Sequence, residues 1–219
     1  MANAPTDRPT SEDLPKSDSA ARGVAVWMVI AGAFGAVFLG TLTAWLVRDQ
    51  LHIGCGVGPP GSEGAGSWTC RDGIGYLWVA VTLGGMTVAV TIVGGFIAGR
   101  MRNERVARTA LVVLAGTSLW WVLAWTWHGS SELVMSVPPG TQSIDYWIAS
   151  VLPAAIVCGT GILAAIVGLV FRGAGARILL SAGAIAVLAG TVLQPGLAIS
   201  TLPAAGLLAV AAVRVPRRR

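Results

Sequence analysis

The chain contains 219 residues, of which 54% are hydrophobic and only 11% are charged. Soluble domains carry about 25% charged residues, so this composition excludes an ordinary soluble domain and is typical of a membrane protein. The formal net charge is +5, but the basic residues lie in short breaks between apolar segments. There they act as topology signals and contact anionic lipid headgroups, so we expect no nucleic-acid binding. Lys16 is the single lysine among 15 basic residues, and we interpret this arginine bias as bacterial.

The N-terminal residues 1–23 are polar and rich in Pro, Ser, Asp and Ala. They have no apolar periodicity, so we predict a disordered cytoplasmic tail. A signal peptide would place its positive charge directly before a short apolar core that ends in a small-residue cleavage site. This region lacks that arrangement, and we expect no cleavage.

Six apolar segments follow, each near the roughly 20 residues that a helix needs to cross a bilayer. They cover residues 24–47, 74–98, 110–127, 147–171, 178–193 and 197–213. The sequence therefore predicts an all-α fold, a polytopic integral membrane protein whose residues 24–213 form a six-transmembrane-helix bundle. Gln194-Pro195-Gly196 splits the last two segments, and we interpret it as a tight outer turn because Pro followed by Gly breaks helices. A re-entrant tip is the alternative.

Small residues recur at helix-packing spacing inside these segments, as at Gly95 and Gly99 and at Ala186 and Gly190. Such residues let helix backbones approach each other, and we interpret them as signs of a tightly packed bundle rather than of a dedicated dimer face. Cys158 falls in the middle of the fourth segment. For this cysteine we predict a small apolar packing role.

Arginines gather in every second break, and this asymmetry predicts the orientation of the bundle. The topology-setting residues of these breaks and of the basic tail at 214–219 are Arg100, Arg102, Arg105, Arg108, Arg172, Arg177, Arg214, Arg217, Arg218 and Arg219. The alternate breaks hold only Arg48 and Arg71, with acidic residues beside them. The positive-inside rule therefore places both termini in the cytoplasm of a bacterial plasma membrane, with the loops 48–73 and 128–146 outside.

The outer loop 48–73 contains two cysteines, Cys55 and Cys70, separated by a Gly-rich stretch that has little of its own to pack. Oxidising conditions outside the cytoplasmic membrane permit disulfides, so we predict that these two cysteines are bonded. On the chain-entropy model, closing a loop of this size stabilises the fold by roughly 3 kcal/mol. A redox-active pair is the alternative, but catalytic pairs usually have the Cys-x-x-Cys spacing.

The third segment carries an unusual concentration of tryptophan near its outer end. Its candidate ligand or lipid face consists of Thr117, Trp120, Trp121, Trp125 and His128. Trp121 and Trp125 are one helical turn apart, and Trp120 lies deeper than an interfacial aromatic belt requires. We hypothesise a Trp-lined pocket that opens to the outer leaflet. The alternative is an aromatic belt combined with ordinary helix packing.

Polar groups suited to catalysis or to a metal are scattered. His128 and Glu132 would face each other if the third helix continued, but we expect Gly129-Ser130-Ser131 to end it first. Zinc needs three or four converging ligands, so we predict no metal and no cofactor. The apolar segments have no ionisable residue at their centres, which argues against ion-coupled transport.

Two classes of function remain. The sequence favours a non-enzymatic accessory or assembly subunit, whose partners would be the lipid bilayer and other membrane proteins. The alternative is a small permease or lipid-handling protein that uses the Trp-rich outer face. An enzyme acting on outer-leaflet lipid through His128, Glu132 or Asp145 is a third hypothesis. The sequence does not predict the oligomeric state.

Overall fold

The computed structural model describes residues 16–59, 61–71 and 73–215, and it describes side chains from residue 23 onward except at positions 74 and 75. Most of the predicted tail at 1–23 lies outside the described residues, and helix α1 already begins at Lys16. Of the basic tail at 214–219, the described part ends at Val215. Arg217, Arg218 and Arg219 therefore lie outside the described residues.

The described chain is mainly helical. Its α-helices are α1 (Lys16–Phe38), α2 (Gly40–Trp45), α3 (Leu77–Arg100), α4 (Glu104–Glu132), α5 (Ser143–Ser150), α6 (Leu152–Val170), α7 (Ala174–Leu193) and α8 (Ala198–Val213). A π-helical turn covers Leu46–Gln50, and 3₁₀ turns cover Gly73–Tyr76 and Pro195–Leu197. Two short antiparallel strands, β1 (Cys55–Val57) and β2 (Trp68–Cys70), pair Cys55 with Cys70. The predicted all-α class is confirmed.

Five helices are long and apolar enough to cross a membrane: α3, α4, α6, α7 and the stretch Pro195–Val213 that contains α8. A sixth candidate is bent, because Gly23–Phe38 and Gly40–Gln50 meet at 49°. Length and composition therefore allow five spans, or six where the bent pair makes one. The several apolar helices indicate a membrane protein.

Two helix boundaries differ from those expected. Gly129-Ser130-Ser131 does not end α4, which continues to Glu132, because Gly129 and Ser130 are buried there and Ile53 packs against the bare Cα of Gly129. Tertiary packing overrides the weak helix propensity of these residues. The fourth apolar segment is divided at Val151 between α5 and α6. Pro153 stands at the start of α6, where its missing N–H removes no helical hydrogen bond.

Helix α8 is the centre of the bundle, since 72% of the apolar stretch within Pro195–Val213 is buried. It packs against α1, α3, α4 and α7, whereas α6 pairs chiefly with α7. The turn Pro195–Leu197 that precedes α8 is also buried, and the side chain of Leu46 lies directly against Gly196. The α7–α8 hairpin therefore ends beneath the segment Leu46–Gln50 and does not reach the surface of the bundle.

Candidate functional site

An apolar cavity of about 540 Å³ lies between the bent α1–α2 pair and α3. Along α3 its lining runs from Leu77 to Val88, a length of about 17 Å at 1.5 Å per residue. Ile199 of α8 also lines it. Half of a typical hydrocarbon core measures about 15 Å, so the cavity is about as long as one leaflet is thick.

The bend at Leu39 lies beside the cavity: α1 packs on α3, whereas α2 beyond the bend has no comparable contact with it. Below the bend, α1 lies close to α8, since a Cβ at Gly32 would come within 2.9 Å of the Leu202 carbonyl oxygen. Above the bend, Leu46 rests on Gly196 at the α7–α8 turn. The chain is thus held by α8 at one end and by the α7–α8 turn at the other, and the cavity lies between α3 and the stretch around the bend.

Two glycines keep the cavity open. Gly40 on α2 and Gly84 on α3 both line it, and a Cβ built at either position would meet no atom within 4 Å. The remaining lining is dominated by Val, Leu and Ala side chains. Ligand pockets are commonly clefts of about 300–1,000 Å³ that are mostly apolar with a few placed polar groups. Size and chemistry both match that description.

Two threonines are among the lining residues of the cavity. The Thr87 hydroxyl donates to the Ile199 carbonyl oxygen at 2.8 Å, which joins α3 to α8. Thr43 is only 4% exposed, and its hydroxyl has no hydrogen-bond partner among the described residues. That oxygen is enclosed by protein atoms, so the surface that the cavity presents to a ligand is almost entirely apolar.

Tyr76 lies at the mouth of the cavity. Its hydroxyl donates to the Ile53 carbonyl oxygen at 2.8 Å. This hydrogen bond ties the start of α3 to the loop that contains Ile53. A second cavity of about 160 Å³ lies between Tyr76 and the C-terminal end of α4, and Arg71 and Glu132 are among its lining residues.

A folded cap covers this end of the bundle. It consists of the loop 51–71, which contains β1 and β2, and of the segment 133–142 that follows α4. The sulfurs of Cys55 and Cys70 are at disulfide distance, which confirms the predicted pairing. Strand β1 is anchored to the segment after α4, because Ser136 Oγ accepts from the Val57 N–H at 2.7 Å and donates to the Val57 carbonyl oxygen at 3.0 Å. The disulfide thus closes a small hairpin that packs on the helices.

A buried glutamine, which the sequence did not single out, ties the cap to the bundle. Gln194 is 3% exposed, and its Nε2 donates to Gln50 Oε1 at 2.8 Å and to the Ser150 carbonyl oxygen at 2.9 Å. These bonds join the end of α7, the π-helical turn and the end of α5. The sequence analysis interprets Gln194-Pro195-Gly196 only as a helix break. Nothing in the sequence indicates that the Gln194 side chain joins three elements.

The residues of the Trp-rich face of α4 differ in exposure and in their contacts. Trp120 is 73% exposed and Trp121 is 42% exposed on the surface of the bundle. Trp125 contacts Trp78 of α3, with ring centroids 5.2 Å apart. The Thr117 hydroxyl donates to the Val113 carbonyl oxygen of its own helix at 2.9 Å. His128 is exposed near the end of α4. The Trp-lined binding pocket stays a prediction.

His128 and Glu132 both lie on α4, one turn apart. They form no ion pair within the described ranges. The same part of the chain contains no group of three His, Cys, Asp or Glu side chains that could hold a metal ion.

Two of the topology-setting arginines bind helix ends. Arg214 donates to the Ala98 carbonyl oxygen at 2.6 Å and to that of Met101 at 3.1 Å, at the end of α3. Arg177 donates to the Val215 carbonyl oxygen at 2.9 Å. Cations at helix C-termini satisfy free carbonyl groups and oppose the negative end of the helix dipole. In contrast, the side chains of Arg100 and Arg102 are both exposed.

Comparisons of the chain with protein-family models, with curated proteins and with solved structures return no match.

Proposed function

We propose that this protein spans a bacterial plasma membrane six times, with both termini and the arginine-rich end in the cytoplasm. The bent pair α1 and α2 supplies the first span, and the capped end faces outward. Two observations support this topology: arginine is concentrated in alternate connections, and the cysteine pair lies in the cap. The first follows the positive-inside rule, and the second suits an oxidising compartment.

We further propose that the protein is a non-enzymatic, lipid-handling membrane protein that holds an acyl chain of an outer-leaflet lipid in the cavity between α2 and α3. The observation that carries this proposal is the cavity itself, with its volume of about 540 Å³ and its nearly continuous apolar lining. A cavity about one leaflet long suits a single extended acyl chain.

The chemistry of the lining supports a hydrocarbon chain as the occupant. The Thr87 hydroxyl is already bonded to the Ile199 carbonyl oxygen, and the Thr43 hydroxyl is enclosed by protein atoms. The chain would therefore contact mainly apolar side chains as it extends past Leu83 toward Val88.

Paired glycine variants test this proposal. Gly84 lines the cavity, whereas Gly85 is exposed on a neighbouring face of α3, and a Cβ at either position meets nothing within 4 Å. Phenylalanine at position 84 would fill the cavity, and phenylalanine at position 85 would enter the surrounding lipid. Both variants change the same residue type in the same helix, so G85F is a matched control.

Photo-crosslinking gives the readout. The protein is extracted in mild detergent, exchanged to a diacyl phospholipid with a diazirine in one acyl chain, irradiated, and mapped by mass spectrometry. We expect wild type and G85F to be labelled on the α2 and α3 lining, and G84F to lose that label. Equal labelling of G84F and G85F would contradict the proposal, because the cavity would then not hold the chain.

A second candidate is an accessory or assembly subunit. The observation that favours it is the exposed aromatic surface of α4, where Trp120 and Trp121 project outward and could pack against the helix of a partner. Native mass spectrometry of the protein extracted gently from its own membrane distinguishes the two. A stoichiometric protein partner supports the subunit, and a retained lipid without a partner supports lipid handling.

A further inference from the structure

A small pocket of about 200 Å³ lies at the arginine-rich end of the bundle, between the start of α4 and the end of α6. Three arginines line it, Arg105 and Arg108 from α4 and Arg172 from the three-residue connection between α6 and α7. Thr109 adds a hydroxyl-bearing side chain, and the segment Leu169 to Phe171 forms the apolar part of the lining. Three cationic side chains from two separate elements therefore converge on one cavity.

Arg108 is the unusual member of this group. It is only 7% exposed, and its Nε donates to the Glu104 carbonyl oxygen at 3.3 Å. Its Nη1 atom is buried and has no acceptor among the described residues. A topology signal requires positive charge in a connection and does not require burial. Burying a guanidinium group without a paired charge is unfavourable, and an anion in the pocket would offset its positive charge although the Nη1 atom itself is enclosed.

The local charge is not balanced by the chain itself. Glu104, the acidic residue in the first turn of α4, lies 3.7 Å from Arg214, and in the ranges that the structure describes no ion pair involves Arg105, Arg108 or Arg172. Arg105 and Arg108 also stand at the positive end of the α4 dipole, where anions are favoured over cations. Both effects leave a positive potential that suits a bound anion.

The rim of the pocket indicates what carries the anion. Val170 is 81% exposed and Phe171 is 51% exposed, so apolar surface adjoins the arginines. A free inorganic anion gains nothing from contact with apolar surface, whereas acyl chains attached to the anion would pack along it. Basic pockets between transmembrane helices on the cytoplasmic side commonly bind lipid headgroups.

We propose that Arg105, Arg108 and Arg172 form a binding site for the phosphodiester of an anionic phospholipid. The guanidinium groups of Arg105 and Arg172 pair with the phosphate oxygens, and Arg108 lies behind them at the base of the pocket. This site is at the opposite end of the bundle from the cavity beside Gly84, so it does not depend on the acyl-chain proposal, although its cytoplasmic position rests on the proposed topology.

Native mass spectrometry of the full chain in detergent tests the site with two probes, dioleoyl phosphatidylglycerol and dioleoyl phosphatidylcholine. The variants R105Q and R172Q change exposed residues, so folding is preserved, and R102Q removes an equal charge outside the pocket. We expect phosphatidylglycerol to bind more tightly than phosphatidylcholine. Its Kd should weaken by about fivefold in each pocket variant and stay unchanged in R102Q.

Further arms separate the possible outcomes. Equal effects of R172Q and R102Q would overturn the proposal, because the interaction would then be general surface attraction. A thermal shift with inorganic phosphate that is lost in R105Q, without selective phosphatidylglycerol binding, would also overturn it in favour of a free anion. Retention of phosphatidylglycerol by G84F would show that the arginine site is separate from the acyl-chain cavity.

Discussion

His52 is under two constraints in the cap. Its backbone has φ of 52°, in the left-handed region that non-glycine residues seldom adopt, although asparagine, aspartate and histidine are enriched there. Its ring stacks on Trp68 with centroids 3.9 Å apart and meets the edge of Tyr146 at 4.9 Å. Burial lowers the pKa of His52 below its ordinary value of 6.5, and the opposing effects of the Gln50 backbone and the Asp49 charge are smaller. The packed cap therefore favours the neutral ring.

This lowered pKa predicts an acid-sensitive cap. The folded-state pKa lies below that of the unfolded chain, so the unfolded chain takes up the proton first as the pH falls below about 6.5. The contribution of His52 to the free energy of unfolding is complete above that pH. It decreases as the pH falls further, until the pH is below the folded-state pKa. We expect the melting temperature of wild type to fall between pH 7.5 and 5, and H52N to show a smaller fall.

Asparagine is a suitable control because it adopts the left-handed conformation more readily than most residues and does not titrate. His128 is present in both proteins, so the difference between their melting curves isolates His52. Parallel pH profiles for wild type and H52N would mean that the stacked ring does not control the acid response.

At the scale of elements, the α6–α7 hairpin depends on glycines that face each other. A Cβ at Gly161 would come within 2.8 Å of the Gly183 carbonyl oxygen, and one at Gly183 within 2.6 Å of the Gly161 carbonyl oxygen. Farther along, the bare Cα of Gly190 leaves room for the Sγ of Cys158, which is buried. The two backbones are in contact because these side chains are absent, as the small-residue spacing in α7 indicates.

A pair of alanine substitutions tests this contact. G161A places a methyl group against backbone, so α6 and α7 must separate, and overpacking of this kind costs about 1–3 kcal/mol. G159A, two residues earlier on the exposed face, meets no atom within 4 Å and should be neutral or stabilising by up to about 1 kcal/mol through helix propensity. Unfolding in a denaturing detergent measures both, and equal stability of the two variants would contradict this packing.

Some element boundaries follow from sequence and others do not. Pro153 marks the start of α6 because proline lacks the N–H that the first helical turn does not use. The bend at Leu39 has no comparable signal, since neither proline nor a charged residue interrupts residues 24–47. It arises from packing of Gly32 and Leu46 against distant parts of α8 and the α7–α8 turn. The cavity that depends on this bend was therefore beyond prediction from the apolar pattern.

At the scale of the whole molecule, hydropathy locates the helices but not their neighbours. All six segments are similarly apolar, yet α8 is at the centre and α6 lies on the outside. The composition of α8 explains its position in retrospect: Ala204, Ala205, Ala211 and Ala212 are buried, and small side chains permit close packing on several sides. The shapes of helix faces determine which helices pack together. The hydropathy pattern of a single sequence does not show which faces fit each other.

The convergence of three arginines is a second feature that only the folded molecule displays. The sequence presents Arg105, Arg108 and Arg172 as equivalent topology signals together with Arg177 and Arg214. In the structure the last two bind backbone carbonyl groups at or just beyond helix ends, and the first three line one pocket. Residues 108 and 172 belong to different connections, so their proximity depends on the contact between α4 and α6.

Single-cysteine labelling tests the proposed six-span topology. Cys158 is buried and Cys55 and Cys70 are paired, so background reaction with a membrane-impermeant maleimide should be low. We expect S62C in the exposed cap to react in intact cells. A174C at the start of α7 and S11C in the N-terminal tail should react only after the membrane is permeabilised.

The position of residue 11 decides whether α1 and α2 cross the membrane as one span. A bend of 49° shortens the distance that these helices cover across the membrane. The segment from Gly23 to Gln50 still contains about 42 Å of helix, which is enough for a core of about 30 Å. If S11C reacts in intact cells while A174C does not, the bent pair forms a re-entrant element and five spans remain. Reaction of A174C but not S62C would instead reverse the orientation and place the arginine pocket in the outer leaflet.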